Sequence, residues 1–160
     1  MTLRISLVTD SADIACVRAL FREYADSLGV PLDFQDFETE VTNLPGAYAA
    51  PAGGLWLARF DGAPCGCVAV RPLDGAATCE LKRLFVQPEV RGQAVGLTLT
   101  QVAIDWARAS GYRAMRLDTM PQMSRAKALY TSLGFREIPP YRYNPVAGTA
   151  FMELHLTSVE

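Results

Sequence analysis

The chain has 160 residues, half of them apolar and 20% charged, with a formal charge of −2 from 15 basic and 17 acidic side chains. That length suits one domain over residues 1–160, large enough to fold without a disulfide or a metal. The composition excludes disorder, no apolar run reaches the roughly 18 residues of a membrane span, the opening residues carry no targeting pattern, and no basic footprint marks a nucleic-acid binder.

Residues 2–8 alternate, with Leu3, Ile5 and Leu7 on one face, and predict a first strand. Asp10 or Ser11 can cap the helix that follows, and Asp13 suits its positive end. Its apolar stripe is Ile14, Val17, Phe21, Tyr24 and Leu28, and Gly29 and Pro31 stop it. A second short helix is expected over 33–42, with Phe34, Phe37, Val41 and Leu44 as its apolar face. Turn signals fill 44–54. Three strands then follow in a meander, over 55–60, 64–70 and 78–86, broken by Asp61-Gly62 and Asp74-Gly75.

The second half alternates strand and helix: a helix over 92–109, a strand over 113–119, a helix over 124–133, and strands over 135–138 and 151–156. The order β-α-α-β-β-β-α-β-α-β-β implies an α/β domain, a mixed and mostly antiparallel sheet of about seven strands with helices on both faces. The four cysteines (Cys16, Cys65, Cys67 and Cys79) read as small packers in a reducing, cytoplasmic setting. His155 is the sole histidine, so no metal site is called for and no cysteine has a clear base partner.

The stretch from Glu80 to Gly96 carries the chemistry. A strand runs into a polar turn and then a helix start, where unpaired backbone N–H groups favour a phosphate. Gly92 suits the tight turn, Gly96 close approach to the helix, and Arg91 adds charge at the mouth. The alternative is that the glycines only shape a turn. The stretch lacks the Gly-Lys-Ser/Thr ending of a nucleotide loop.

Arg91-Gly92-Gln93-Ala94-Val95-Gly96, followed downstream by Ser124-Arg125-Ala126-Lys127-Ala128-Leu129-Tyr130 and Gly134-Phe135, strongly resembles the GNAT superfamily of coenzyme-A-dependent N-acyltransferases. The element order matches as well. The resemblance implies that Arg91, Gly92, Gln93, Ala94, Val95 and Gly96 bind the pyrophosphate of acetyl-coenzyme A. It also implies that Leu84, Phe85 and Val86 offer backbone groups to pantetheine, like a strand added to a sheet edge, and that Ser124 and Lys127 lie with the coenzyme. Ala94 replaces the family's usual glycine, and Met123 its usual asparagine, with Ser124 left as the expected helix cap.

By the same resemblance, Tyr130 is the general acid for the departing thiolate, and Glu80 is the candidate base for the amine. The alternative for Glu80 is an ion pair with Lys82 or Arg59. Alternation along 78–86 puts Glu80 and Lys82 on one face with Leu84 and Val86, and Cys79, Leu81, Arg83 and Phe85 on the other. Phe34, Tyr48, Tyr141 and Tyr143 are candidates for holding an amine with an apolar body. Arg142 would instead read a carboxylate on the acceptor. The expected function is acetyl transfer to a primary amine of a small molecule or peptide, with no nucleic-acid or membrane partner and a homodimer as the default assembly. The alternative is a coenzyme-binding regulatory module without turnover.

Overall fold

The computed structural model describes residues 2–29, 32, 36–73 and 77–156. The elements are β1 (Leu3–Leu7), α1 (Ser11–Leu28), α2 (Phe37–Thr42), β2 (Gly54–Phe60), β3 (Ala63–Pro72), β4 (Thr78–Val86), α3 (Val95–Ala109), β5 (Ala114–Thr119), α4 (Ser124–Ser132), β6 (Arg136–Ile138) and β7 (Ala150–His155). Two 3-10 turns, Gly46–Tyr48 and Pro88–Val90, lie in stretches expected to be irregular. The segment 33–35 at the expected start of α2 lies outside the described residues, as does Phe34.

Helix α1 starts where Asp10 Oδ1 accepts from the Asp13 N–H at 2.8 Å, and ends at Gly29, whose φ of 69° needs no side chain in the way. Its buried residues, Val17, Leu20, Phe21, Tyr24 and Leu28, recur at helical spacing and face the sheet. Helix α3 begins at Val95, three residues later than the glycine pattern suggested, because 88–94 are taken up by the 3-10 turn and a loop.

One seven-stranded sheet has the order β1-β2-β3-β4-β5-β7-β6. Only the β4–β5 contact is parallel among its six strand pairs, as the α3 crossover requires. Alternation divides the interior into two layers. Trp56, Val68, Val70, Leu81, Met115, Leu117 and Met152 pack with Leu99, Ala103 and Ile104 of α3. Leu55, Leu57, Cys67, Ala69 and Phe85 pack with Val17, Phe21, Phe37 and Val41 of α1 and α2. Helices thus cover both faces.

Two irregularities shape the middle of the sheet. The first is a bulge. Cys67 pairs with Phe85 but Ala69 pairs with Lys82, so β4 holds one extra residue there, and Arg83 has a φ of 60°. The bulge reverses the alternation read from the sequence. Cys79, Leu81, Leu84 and Val86 face α3 and α4, while Arg83 joins Phe85 on the α1 and α2 side. The second is a splay. β4 pairs with β5 only from Thr78 to Glu80, against Ala114 to Arg116. Beyond that the strands part, and β5 keeps only its β7 neighbour.

Candidate active site

The splay opens into a groove of about 780 Å³. One bank is Leu84, Phe85 and Val86 of β4 with Arg91, Gly92, Ala94, Val95, Gly96 and Leu97 of the loop and α3. The other is Gln122, Met123, Ser124, Arg125, Ala126 and Leu129, and α1 closes one side with Tyr24, Ser27 and Leu28. The first backbone hydrogen bond of α3 runs from Thr98 N–H to Ala94 C=O at 3.0 Å. The N–H groups of Val95, Gly96 and Leu97 therefore precede the helical ladder and are available to an anion. Packing within the protein does not demand glycine at 96, since an added methyl would meet Val86 and Leu129 at 3.7 and 3.8 Å. The missing side chain leaves that space to the groove.

Ala94 caps α3 at φ 60° and ψ 23°, a left-handed conformation that costs an L-residue roughly 1–2 kcal/mol. Ala94→Gly is therefore expected to raise the urea unfolding midpoint and leave affinity for acetyl-coenzyme A equal or higher. A lower affinity in calorimetric titration would show that the methyl does not crowd the ligand.

Two residues expected at the coenzyme, Gln93 and Lys127, do not line the groove. Gln93 is exposed, does not line the groove, and gives its N–H to Val90 C=O at 3.3 Å. Lys127 forms an ion pair with Glu137 at 2.6 Å and lines a separate depression across α4. Ser124 lines the groove but does not cap α4. The N-cap is Met123, with no side-chain hydrogen bond, because Ser124 is already the first helical residue.

The inner end of the groove meets a nook of about 30 Å³, and Tyr24, Leu84 and Met123 line both. The nook's polar walls are Lys82, Arg83, Asp118, Thr119, Tyr130 and Asn144. Tyr130 is buried, its ring 5.6 Å from Phe135, and burial pushes its hydroxyl well above the ordinary tyrosine range. It stays protonated at any working pH. Arg83 makes a two-pronged ion pair with Glu40 of α2 at 2.8 and 2.9 Å and lies over the rings of Phe37 and Tyr24. These contacts hold the strained bulge in place. Burial first, then the Arg83 charge, lower the Lys82 ammonium to about 8, against the opposite pull of Glu80 and Asp118.

Glu80 has no exposed surface and is fully engaged. Arg71 Nε donates to one carboxylate oxygen at 2.8 Å, and Tyr141 O–H at 2.6 Å and Arg142 Nη2 donate to the other. Burial raises its pKa, but Lys82, the Tyr141 hydrogen bond, Arg142 and Arg71 more than offset that and hold it below the usual carboxylate range. Of the partners expected from the sequence, Lys82 acts on it through charge, while Arg59 pairs with Asp13 at 2.6 Å.

The aromatic residues expected at the acceptor do not assemble there. Tyr48 is 3% exposed and packs edge-on against Phe21, so it belongs to the core. Tyr143 is 80% exposed and lines none of these cavities. Tyr141 is tied to Glu80, and Arg142 bridges Glu80 and Asp118. His155 is exposed and paired with Glu153. Cys65, Cys67 and Cys79 are buried, and burial raises their thiols, that of Cys79 to about 12. They are packing residues.

Reading from the sequence did not single out Tyr24, Arg83, Asp118, Thr119 or Asn144. Two signals were available: consecutive cations, Lys82-Arg83, inside a central strand, and Asp118-Thr119 at the carboxyl end of the strand after the crossover, where open sheets bind ligands.

Comparison with known proteins fits this geometry. The acetyltransferase (GNAT) family model matches residues 17–135. An uncharacterised N-acetyltransferase of Schizosaccharomyces pombe is 36% identical over 156 residues, covering 97% of this chain and 96% of that protein. A GNAT-family acetyltransferase structure from Staphylococcus aureus superposes with a TM-score of 0.80 at 20% identity, covering 98% of this chain and all of that one. An acetyltransferase of Salmonella typhimurium, solved with its cofactor acetyl-CoA, superposes with a TM-score of 0.68 at 22% identity, covering 99% and 96% of the two chains. The family match over residues 17–135, with the strand splay and the loop at the head of α3 in place, shows that the chain belongs to the GNAT family of acetyltransferases.

Proposed function

We propose that this chain moves an acetyl group from acetyl-coenzyme A to a primary amine of a small molecule or peptide, by direct attack within a ternary complex. The observation that carries this reading is the junction of the two cavities at Tyr24, Leu84 and Met123. A donor laid along the groove places its reacting end there, and the nook beside it has room for the amino nitrogen of an acceptor. Holding both partners at one junction supplies the larger part of the rate.

In this reading the amides of Val95, Gly96 and Leu97, with Arg91, hold the pyrophosphate. The backbone of Leu84, Phe85 and Val86, free of β5, pairs with the pantetheine arm. Tyr130 donates its proton to the departing thiolate. Glu80 serves as an anchor, fastening the Tyr141-Arg142 segment to β4, because it is buried and both carboxylate oxygens already accept hydrogen bonds, from Arg71 on one side and from Tyr141 and Arg142 on the other. The test is incubation with acetyl-coenzyme A and a panel of primary amines, read by mass spectrometry. Formation of an N-acetyl product supports the reading. Coenzyme binding without transfer to any amine would replace it with a regulatory module.

A further inference from the structure

Thr119 ends β5 at the splay, with 3% of its surface exposed. Its Oγ1 is the one buried side-chain polar atom, among the described residues, with no hydrogen-bond partner in the protein. Leaving such a group without a partner costs stability, so its retention calls for a reason. Thr119 lines the nook together with Asp118 and Tyr130, and it also lines the open depression of about 670 Å³ on the far side of α4. The nook's volume of about 30 Å³ holds one or two water-sized groups.

We infer that Thr119 is a positioning residue for proton transfer, its hydroxyl holding a water in the nook that links the Asp118 carboxylate to the Tyr130 hydroxyl. This rests on the acetyl-transfer reading above. The acceptor arrives as an ammonium ion. One N–H bond breaks and its proton goes to Asp118. The nitrogen then forms the C–N bond to the acetyl carbon as the C–S bond breaks, and Tyr130 O–H gives its proton to sulfur. The Thr119-held water carries the proton from Asp118 to Tyr130 and restores it. The second nitrogen proton leaves as the amide forms and reaches solvent past Thr119 through the open depression. One proton ends on the coenzyme thiol and one in solvent.

The arrangement explains how a buried tyrosine can turn over. Burial disfavours a phenolate at 130, so the proton must be replaced as it is given. It also gives Asp118 the task for which Glu80 has no free oxygen. Asp118 itself is held on Oδ2 by Arg142 at 3.6 Å and Asn144 at 3.5 Å, and it lines the nook.

The test compares Thr119→Val, which keeps the shape and removes the hydroxyl, with Thr119→Ser, which keeps the hydroxyl. Both are assayed with acetyl-coenzyme A and an amine that the wild type acetylates, with thermal melts as a fold control. Thr119→Val is expected to lower kcat about tenfold or more with KM for acetyl-coenzyme A unchanged, and to enlarge the solvent deuterium isotope effect on kcat. Thr119→Ser is expected to restore kcat to within about threefold of wild type. If valine does not fold, Thr119→Ala takes its place with the same expected outcome. Wild-type kcat and isotope effect without the hydroxyl, or a serine variant as slow as valine, would overturn the relay alone. A wild-type chain that acetylates no amine would overturn the relay together with the proposed function.

Discussion

Tyr130→Phe is expected to lower kcat by about 100-fold, roughly 2.7 kcal/mol of transition-state stabilisation, with the dissociation constant of acetyl-coenzyme A unchanged. The ring stays, so the contact with Phe135 and the wall of the nook are kept. Only the proton donor is lost. Burial raises the hydroxyl's pKa by disfavouring the phenolate, so the group is protonated at neutral pH and parts with its proton only as another replaces it. Steady-state kinetics with calorimetric binding separates the two effects. Unchanged kcat would assign the tyrosine to packing alone.

Glu80→Gln is expected to destabilise the fold by about 2–3 kcal/mol at neutral pH, measured as a urea unfolding free energy. The amide leaves Arg71 and Arg142 without their counter-charge. Removing one partner of a fully buried pair costs more, but these arginines keep 34% and 24% side-chain exposure, and water offsets part of the loss. The pH dependence has a definite sign. The folded pKa of Glu80 lies below its unfolded value, so its contribution is complete above the ordinary carboxylate range and is lost as pH falls through the folded pKa. The difference between wild type and variant should therefore shrink under acid conditions. In activity assays the variant is expected to raise KM for the acceptor, because the Tyr141-Arg142 segment is released, while the pH–rate profile keeps its shape. Loss of its acidic limb would instead make Glu80 the base.

Much of the scaffold was legible in the sequence because it rests on local rules. The Asp10 cap, the Gly29 stop and the stripe from Val17 to Leu28 are short-range signals, and the structure has them in that form. The seven-stranded mixed sheet follows from the order of the elements. The motif from Arg91 to Gly96 located the loop at the head of α3, although the left-handed backbone at Ala94 was not legible, since alanine does not announce it.

The site's interior was less legible, for two reasons. Alternation assumes an unbroken strand, and the extra residue in β4 at Arg83 reverses every side chain after it. The commitments of Glu80, Tyr141 and Arg142 span about sixty residues of sequence and exist only once the 139–148 segment folds over β4. Tyr48 and Tyr143 look alike as aromatic loop residues. Only tertiary packing sends one into the core beside Phe21 and leaves the other in solvent.

If the splay between β4 and β5 is a coenzyme site, isothermal titration with acetyl-coenzyme A will show it, with desulfo-coenzyme A as the unreactive comparison. Saturable one-to-one binding of both at micromolar concentration is the expected result. No heat of binding up to millimolar concentration would contradict it, and would mean that Ala94 and Met123 have closed the groove to the ligand for which its amides are arranged.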